Sequence, residues 1–80
     1  MKNSTYASQN PFQKEREALG DTIKTLREEK SMTQEDLAEK ASINVSYLAK
    51  IENGYVNTTV RYLIKIARGL KVRVKDLFNF

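Results

Sequence analysis

The sequence contains no cysteine and no histidine. Without cysteine there is neither a disulfide nor a thiolate metal site, and without histidine the usual imidazole general base and the commonest metal ligand are missing. No run approaches the roughly 18 apolar residues of a membrane span, and the opening MKNSTYASQNPF has no apolar h-region, so neither a membrane segment nor a secretion signal is encoded. These absences predict a cytoplasmic protein without metal, cofactor or evident small-molecule ligand. Eighty residues suit one small domain. A chain of that size buries only about 60% of its unfolded surface, too little core to enclose a large substrate cavity.

The charge is unevenly placed. Residues 1–39 hold six Lys/Arg against eight Asp/Glu, and residues 40–80 hold eight against two, so the halves carry −2 and +6 of the overall +4. Such a gradient fits either a solvated basic surface or the footprint of a polyanion, and position has to decide between them.

Residues 1–13 are rich in Asn, Ser, Thr and Gln, lack hydrophobic periodicity and include the single Pro11. They read as a flexible arm ahead of a domain at 14–80. Leu19, Ile23 and Leu26 recur at helical spacing and predict a helix over 14–29. In TQED, Thr33 is an N-cap with Asp36 three residues on, which opens a helix over 34–41 with Leu37, Ala38 and Ala41 on one face. Asn44 is a good N-cap and Asn53–Gly54 a good stop, so a third helix runs over about 45–53, joined to the second by a tight turn. Val60, Leu63, Ile64, Ala67 and Leu70 predict a helix over 59–69, capped by Thr58 or Thr59. VKDLFNF gives a last short helix with Val74, Leu77 and Phe78 inward, although neither Val72 nor Arg73 is a good cap. Five short helices, no strand pattern and no internal repeat imply a compact all-α domain.

The third helix presents an unusual outer face. At about 100° per residue, Leu48 and Ile51 point inward with Tyr47 and Glu52 flanking them, while Ser46, Ala49, Lys50 and Asn53 point outward. That outer arc is small, polar and free of acid. It fits close approach to an acceptor-lined surface such as the DNA major groove, or it is simply a solvated helix face. Glu52 is the single acid between Lys40 and Lys75, and an anion so placed has to be turned inward and paired.

The segment TQEDLAEKASINVSYLAKIENG resembles the helix-turn-helix of the lambda repressor-like, or Cro-type (XRE), family. Gln34 opens the first helix of the pair, Ala38 sits at the crossing, Ile43 is in the turn, Leu48 and Ile51 face inward, and IENG closes the second helix. LGDTIKTLREEKSMTQ and VRYLIKIARGLKVRVKDLF resemble the family's first, fourth and fifth helices, so residues 19–78 are covered. The chain departs from the family at Ser31, Ser42 and Lys71, where Gly is frequent, and it lacks the Pro common before the fourth helix. If those three positions need positive φ, each non-Gly residue costs on the order of 1 kcal/mol.

The resemblance implies a five-helix lambda repressor-like domain and a sequence-specific double-stranded DNA-binding transcriptional repressor, not an enzyme. It implies a homodimer on a palindromic operator, with the helix at 45–53 in the major groove. Val45, Ser46 and Lys50, with Tyr47 beside them, then occupy base-reading positions. Lys50 suits guanine O6/N7, Ser46 is ambivalent, and Val45 packs either on a thymine methyl or partly in the core. Gln34 matches a phosphate-contacting residue at a helix N-terminus. Arg27, Asn44, Asn53, Tyr55, Asn57 and Arg61 are further phosphate candidates, and the loop residues among them read equally as solvated. The family also implies an ion pair between Arg27 and Glu52. Leu70, Val72, Val74, Leu77, Phe78 and Phe80 form either a dimer interface or a plain core cap, and the arm at 1–13 either meets DNA or extends the dimer. The competing reading is a protein-interaction module of the antitoxin type. A hydrolase with paired carboxylates finds no convergent site.

Overall fold

Helix α1 (Gln13–Glu29) is followed by α2 (Gln34–Ala41), α3 (Val45–Glu52), α4 (Val60–Leu70) and a terminal 3-10 helix (Val74–Phe78). The computed structural model describes residues 12–80, and among them there is no strand. Most of the proposed amino-terminal arm, including Lys2 and Pro11, lies outside the described residues.

The buried residues of α1, Arg16, Gly20, Ile23 and Arg27, follow one another at steps of four, three and four, so one stripe of the helix meets the rest of the domain. Leu19 and Leu26 widen that stripe. At its centre Gly20 does what no other residue can do there. A Cβ on it would lie 2.4 Å from the carbonyl oxygen of Glu52 and 2.5 Å from that of Ile51, so α1 touches the end of α3 backbone to backbone.

Helix α2 starts with a reciprocal cap. The Thr33 hydroxyl accepts from Asp36 N at 3.0 Å, and Asp36 Oδ2 accepts from Thr33 N at 2.9 Å. The Thr33 backbone N–H, and then its hydroxyl, hold the Asp36 carboxyl below its ordinary pKa. The asparagine that opens α3, Asn44, accepts from Ser46 N and Tyr47 N at 2.8 and 3.2 Å. At α4 the Thr59 hydroxyl accepts from Tyr62 N at 3.2 Å.

Three helices end in one way. Ser31, Ser42 and Lys71 have φ of 57°, 57° and 60°, and in each case the next N–H reaches back to the last turn: Met32 to Arg27 O, Ile43 to Ala38 O, Val72 to Ala67 O, at 2.9–3.1 Å. This left-handed closure normally takes glycine. The departures noticed in the sequence are therefore strained positions.

The core gathers Ile23 from α1, Leu37 and Ala38 from α2, Leu48 and Ile51 from α3, Leu63, Ile66, Ala67 and Leu70 from α4, and Leu77 from the 3-10 helix. Two expectations change here. Val60 is 67% exposed, because it stands in the first turn of α4 beyond the edge of the core, and Ile66 is fully buried in its stead. Phe78 is 47% exposed rather than inward. A 3-10 helix has three residues per turn, so Val74 and Leu77 share a side and Phe78 comes off about 120° away. The missing cap of that helix is supplied from within it, since Asp76 Oδ2 accepts from Arg73 N at 2.9 Å.

Candidate nucleic-acid interface

Helices α2 and α3 are joined by residues 42–44, and α3 lies across the domain with only one face free. Leu48 and Ile51 anchor its inner side, at 0% and 2% exposure. Ser46, Lys50 and Asn53 are exposed, Ala49 is half-buried, and Val45 is 37% exposed, so Val45 is an available apolar contact rather than a core residue.

The acid of α3 is removed from that surface. Glu52 is 4% exposed and takes two hydrogen bonds from the Arg27 guanidinium: Nε to Oε2 at 2.8 Å and Nη2 to Oε1 at 3.0 Å. Arg27 Nη1 also donates to Met32 O at 2.7 Å. The hydrogen bond to Glu52 raises the Arg27 pKa above its ordinary value, while burial pulls it the other way. Arg27, read from sequence as a phosphate contact too, is only 7% exposed, and each of its three guanidinium nitrogens donates inside the protein. Its place in the geometry is as the partner that neutralises Glu52.

Gln34, the first residue of α2, is half-buried, and its Nε2 donates to Glu52 Oε1 at 2.9 Å. Sequence reading gave no sign of this third member of the pair, because 18 residues separate Gln34 from Glu52 in the chain. Tyr47 is also placed differently from its neighbours on α3. Its ring lies 4.7 Å from that of Tyr62 in α4, and its hydroxyl donates to Thr58 Oγ1 at 3.3 Å. Tyr47 thus faces α4 and braces α3 against the loop that follows, instead of joining the outer arc.

That loop begins where Gly54, at φ 72°, turns the chain out of α3. Gly54 N donates to Ile51 O and Tyr55 N to Lys50 O, and the Gly54 carbonyl is held by Arg16 Nε at 2.9 Å. Tyr55 is 69% exposed, and Asn57 and Arg61 are exposed beside it. Asn44 is exposed at the other end of α3, with its Oδ1 committed to the helix cap and its amide N–H groups directed elsewhere. Lys65 joins this side unannounced. Four residues after Arg61, and so on the same face of α4, it donates to Ser42 O at 3.3 Å and sits over the Tyr62 ring at 5.9 Å. The i, i+4 spacing of the two cations was the available signal.

Two of the supposed interface residues are not on the surface at all. Leu70 and Leu77 are fully buried, at 0% exposure, because they close the core between α4 and the 3-10 helix. Val72 and Val74 are half-buried, and Phe78 and Phe80 remain outside, with ring centroids 6.2 Å apart. Among the described residues no group of three or more acidic side chains is placed to hold a metal ion, and no helix is long and apolar enough to cross a membrane.

A short capped helix, a tight turn and a second helix with an acid-free outer face define the helix-turn-helix class. The chain belongs to the helix-turn-helix family HTH_3, which it matches over residues 23–77. It is a DNA-binding transcriptional regulator and not an enzyme. It is 41% identical over 59 residues to the immunity repressor protein of Bacillus phage phi105, covering 74% of this chain and 41% of that one, so the chain spans about two fifths of that relative. It is 36% identical over 62 residues to the control protein C.MunI of Mycoplasma sp., covering 76% of this chain and 84% of the relative. The fold is similar to that of the restriction-modification controller protein C.AhdI from Aeromonas hydrophila, with a TM-score of 0.76 and 29% identity over 78% of this chain and 94% of the other.

Proposed function

We propose that the protein is a transcriptional repressor that binds double-stranded DNA sequence-specifically as a homodimer on a palindromic operator. One observation carries the reading: the exposed arc of α3 is free of acid because Glu52, its single carboxylate, is buried and paired with Arg27. A helix with that face enters the major groove without opposing the phosphates. Val45, Ser46 and Lys50 read base edges from its exposed side. Gln34, Asn44, Asn53, Tyr55, Asn57 and Arg61 meet phosphates on either flank, with Lys65 near the turn adding positive charge. Tyr47 serves as a brace behind the readers.

The second copy docks at the carboxy-terminal end. A groove of about 370 Å³ is lined by Phe12, Leu19, Val56, Leu63, Phe78 and Phe80 among others, and three of these aromatic rings stand 47–66% exposed. Leu70 and Leu77 belong to the core and do not line the groove. Phe78→Ser with Phe80→Ser is expected to leave the helices intact and convert a dimer to a monomer in sedimentation equilibrium; an unchanged assembly state would remove this face from the dimer.

The experiment that tests the whole reading is selection of bound duplexes from a random pool, followed by titration of the winner at several salt concentrations. The expected result is a palindrome with half-sites one helical turn apart and a log K against log salt slope of several units, about −0.9 for each phosphate neutralised. Failure to enrich any sequence would favour the second reading, a module whose partner is protein, for which the same exposed aromatic groove is the supporting feature.

A further inference from the structure

We propose that Glu52 is a positioning residue for the Gln34 amide, so that one buried carboxylate sets both the orientation of α3 and the polar contact made at the start of α2. The proposal rests on the DNA-binding reading above and deepens it. Glu52 Oε1 is shared: Arg27 Nη2 reaches it from α1 at 3.0 Å and Gln34 Nε2 from α2 at 2.9 Å. Three helices therefore meet at a single buried carboxylate.

The consequence for Gln34 follows from the shape of a primary amide. Its nitrogen carries two protons in one plane, and with the first fixed on Glu52 the second has a set direction. Neither that second proton nor the amide oxygen has a protein partner among the described residues, and the residue is half-exposed at a helix N-terminus, where backbone N–H groups already favour an anion. An unanchored glutamine loses its rotamer freedom when it meets a phosphate. Here that loss occurs on folding, so the contact is preorganised. Arg27 is needed for the arrangement to work, because an unneutralised carboxylate beside the same phosphate would repel it.

The contact between Gln34 and phosphate is neutral on the protein side, which gives it a signature. Losing it lowers affinity without changing the salt slope, since no counterion release depends on it. The test uses the operator selected as above, with each phosphate in turn replaced by an uncharged methylphosphonate. Gln34→Met is expected to weaken binding about tenfold, the scale of one hydrogen bond to a charged group, and to erase the methylphosphonate penalty at one phosphate in each half-site. The double variant R27M/E52M removes the carboxylate together with its counter-ion and leaves no orphan charge. It is expected to erase the penalty at that same phosphate, and adding Gln34→Met to it is expected to cost less than about twofold, since contacting groups are non-additive.

If R27M/E52M loses affinity evenly while keeping the penalty at the Gln34 phosphate, Glu52 is only a structural partner of Arg27 and the proposal is wrong. Should the double variant not fold, R27L/E52L, which likewise leaves no acceptor for the Gln34 amide, is scanned against the same phosphates, and a retained penalty there overturns the proposal equally. Failure of the wild-type protein to select any duplex defeats the DNA-binding reading itself, and that outcome is seen before either variant is made.

Discussion

Gly20→Ala sets helix propensity against helix packing. In the middle of α1, alanine is favoured over glycine by about 1 kcal/mol, so local reasoning predicts a more stable protein. The structure predicts the reverse. The added Cβ would stand 2.4 Å from Glu52 O, 2.5 Å from Ile51 O and 2.7 Å from Glu52 C, where ordinary contact begins near 3.4 Å. All three atoms are backbone, so no rotamer change relieves the clash, and α1 has to draw back from the end of α3 by about 1 Å. Overpacking of this kind costs about 1–3 kcal/mol or more, and a clash with backbone belongs at the upper end. Net of propensity, the expected loss is about 2 kcal/mol, which lowers Tm by on the order of 10 °C in a domain this small. Thermal unfolding followed by far-UV circular dichroism measures it. Thr25→Ala, exposed on the same helix, serves as the control and is expected to raise Tm slightly. A Gly20→Ala protein that melts at or above the wild-type temperature would refute the close-approach account of α1 and α3. Operator affinity should fall with stability, because the atoms displaced are those of Ile51 and Glu52.

Three further substitutions probe separate features. Arg27→Ala leaves Glu52 buried without its partner, so it should cost about 3–5 kcal/mol in urea unfolding and weaken operator binding; unchanged melting and binding would sink the role assigned to the pair. Ser42→Gly and Lys71→Gly relieve left-handed strain at φ 57° and 60°, and each is expected to stabilise by about 0.5–1 kcal/mol, the strain relieved less the greater chain entropy of glycine; a loss of stability at either site would argue against strain there. Asp36 titrates below its ordinary value because it caps Thr33 N. The unfolded state therefore binds the proton more readily, and the stabilisation is complete above the ordinary aspartate range and lost as pH falls through the lowered folded value. Asp36→Asn should flatten that acid limb of the stability profile, and an identical limb in the variant would disprove the contribution.

Local chemistry was legible in the sequence. The start of α2 at Thr33–Asp36, the Asn44 cap and the Gly54 stop are decided by side chains within four residues of the backbone groups they satisfy, and no distant contact is needed to read them. The inward pair Leu48 and Ile51 and the acid-free outer arc of α3 follow from helical periodicity alone, and the ordered set of such features is what made the family resemblance readable. The terminal segment was harder. Whether Phe78 points in or out depends on three residues per turn or 3.6, and apolar spacing over five residues does not distinguish them.

Only the tertiary structure decided what meets across the chain. It showed that Gly20 is a contact rather than a weakness, that Tyr47 turns toward Tyr62 and Thr58 instead of the outer arc, and that Leu70 and Leu77 are core while Phe78 and Phe80 stay exposed. It also brought Gln34 to the carboxylate shared by Arg27 and Glu52. The physical reason is common to all of these. Periodicity fixes which side of a helix a residue occupies, but the identity of the partner on that side, and the distance to it, are set by how whole helices cross, which no window of sequence contains.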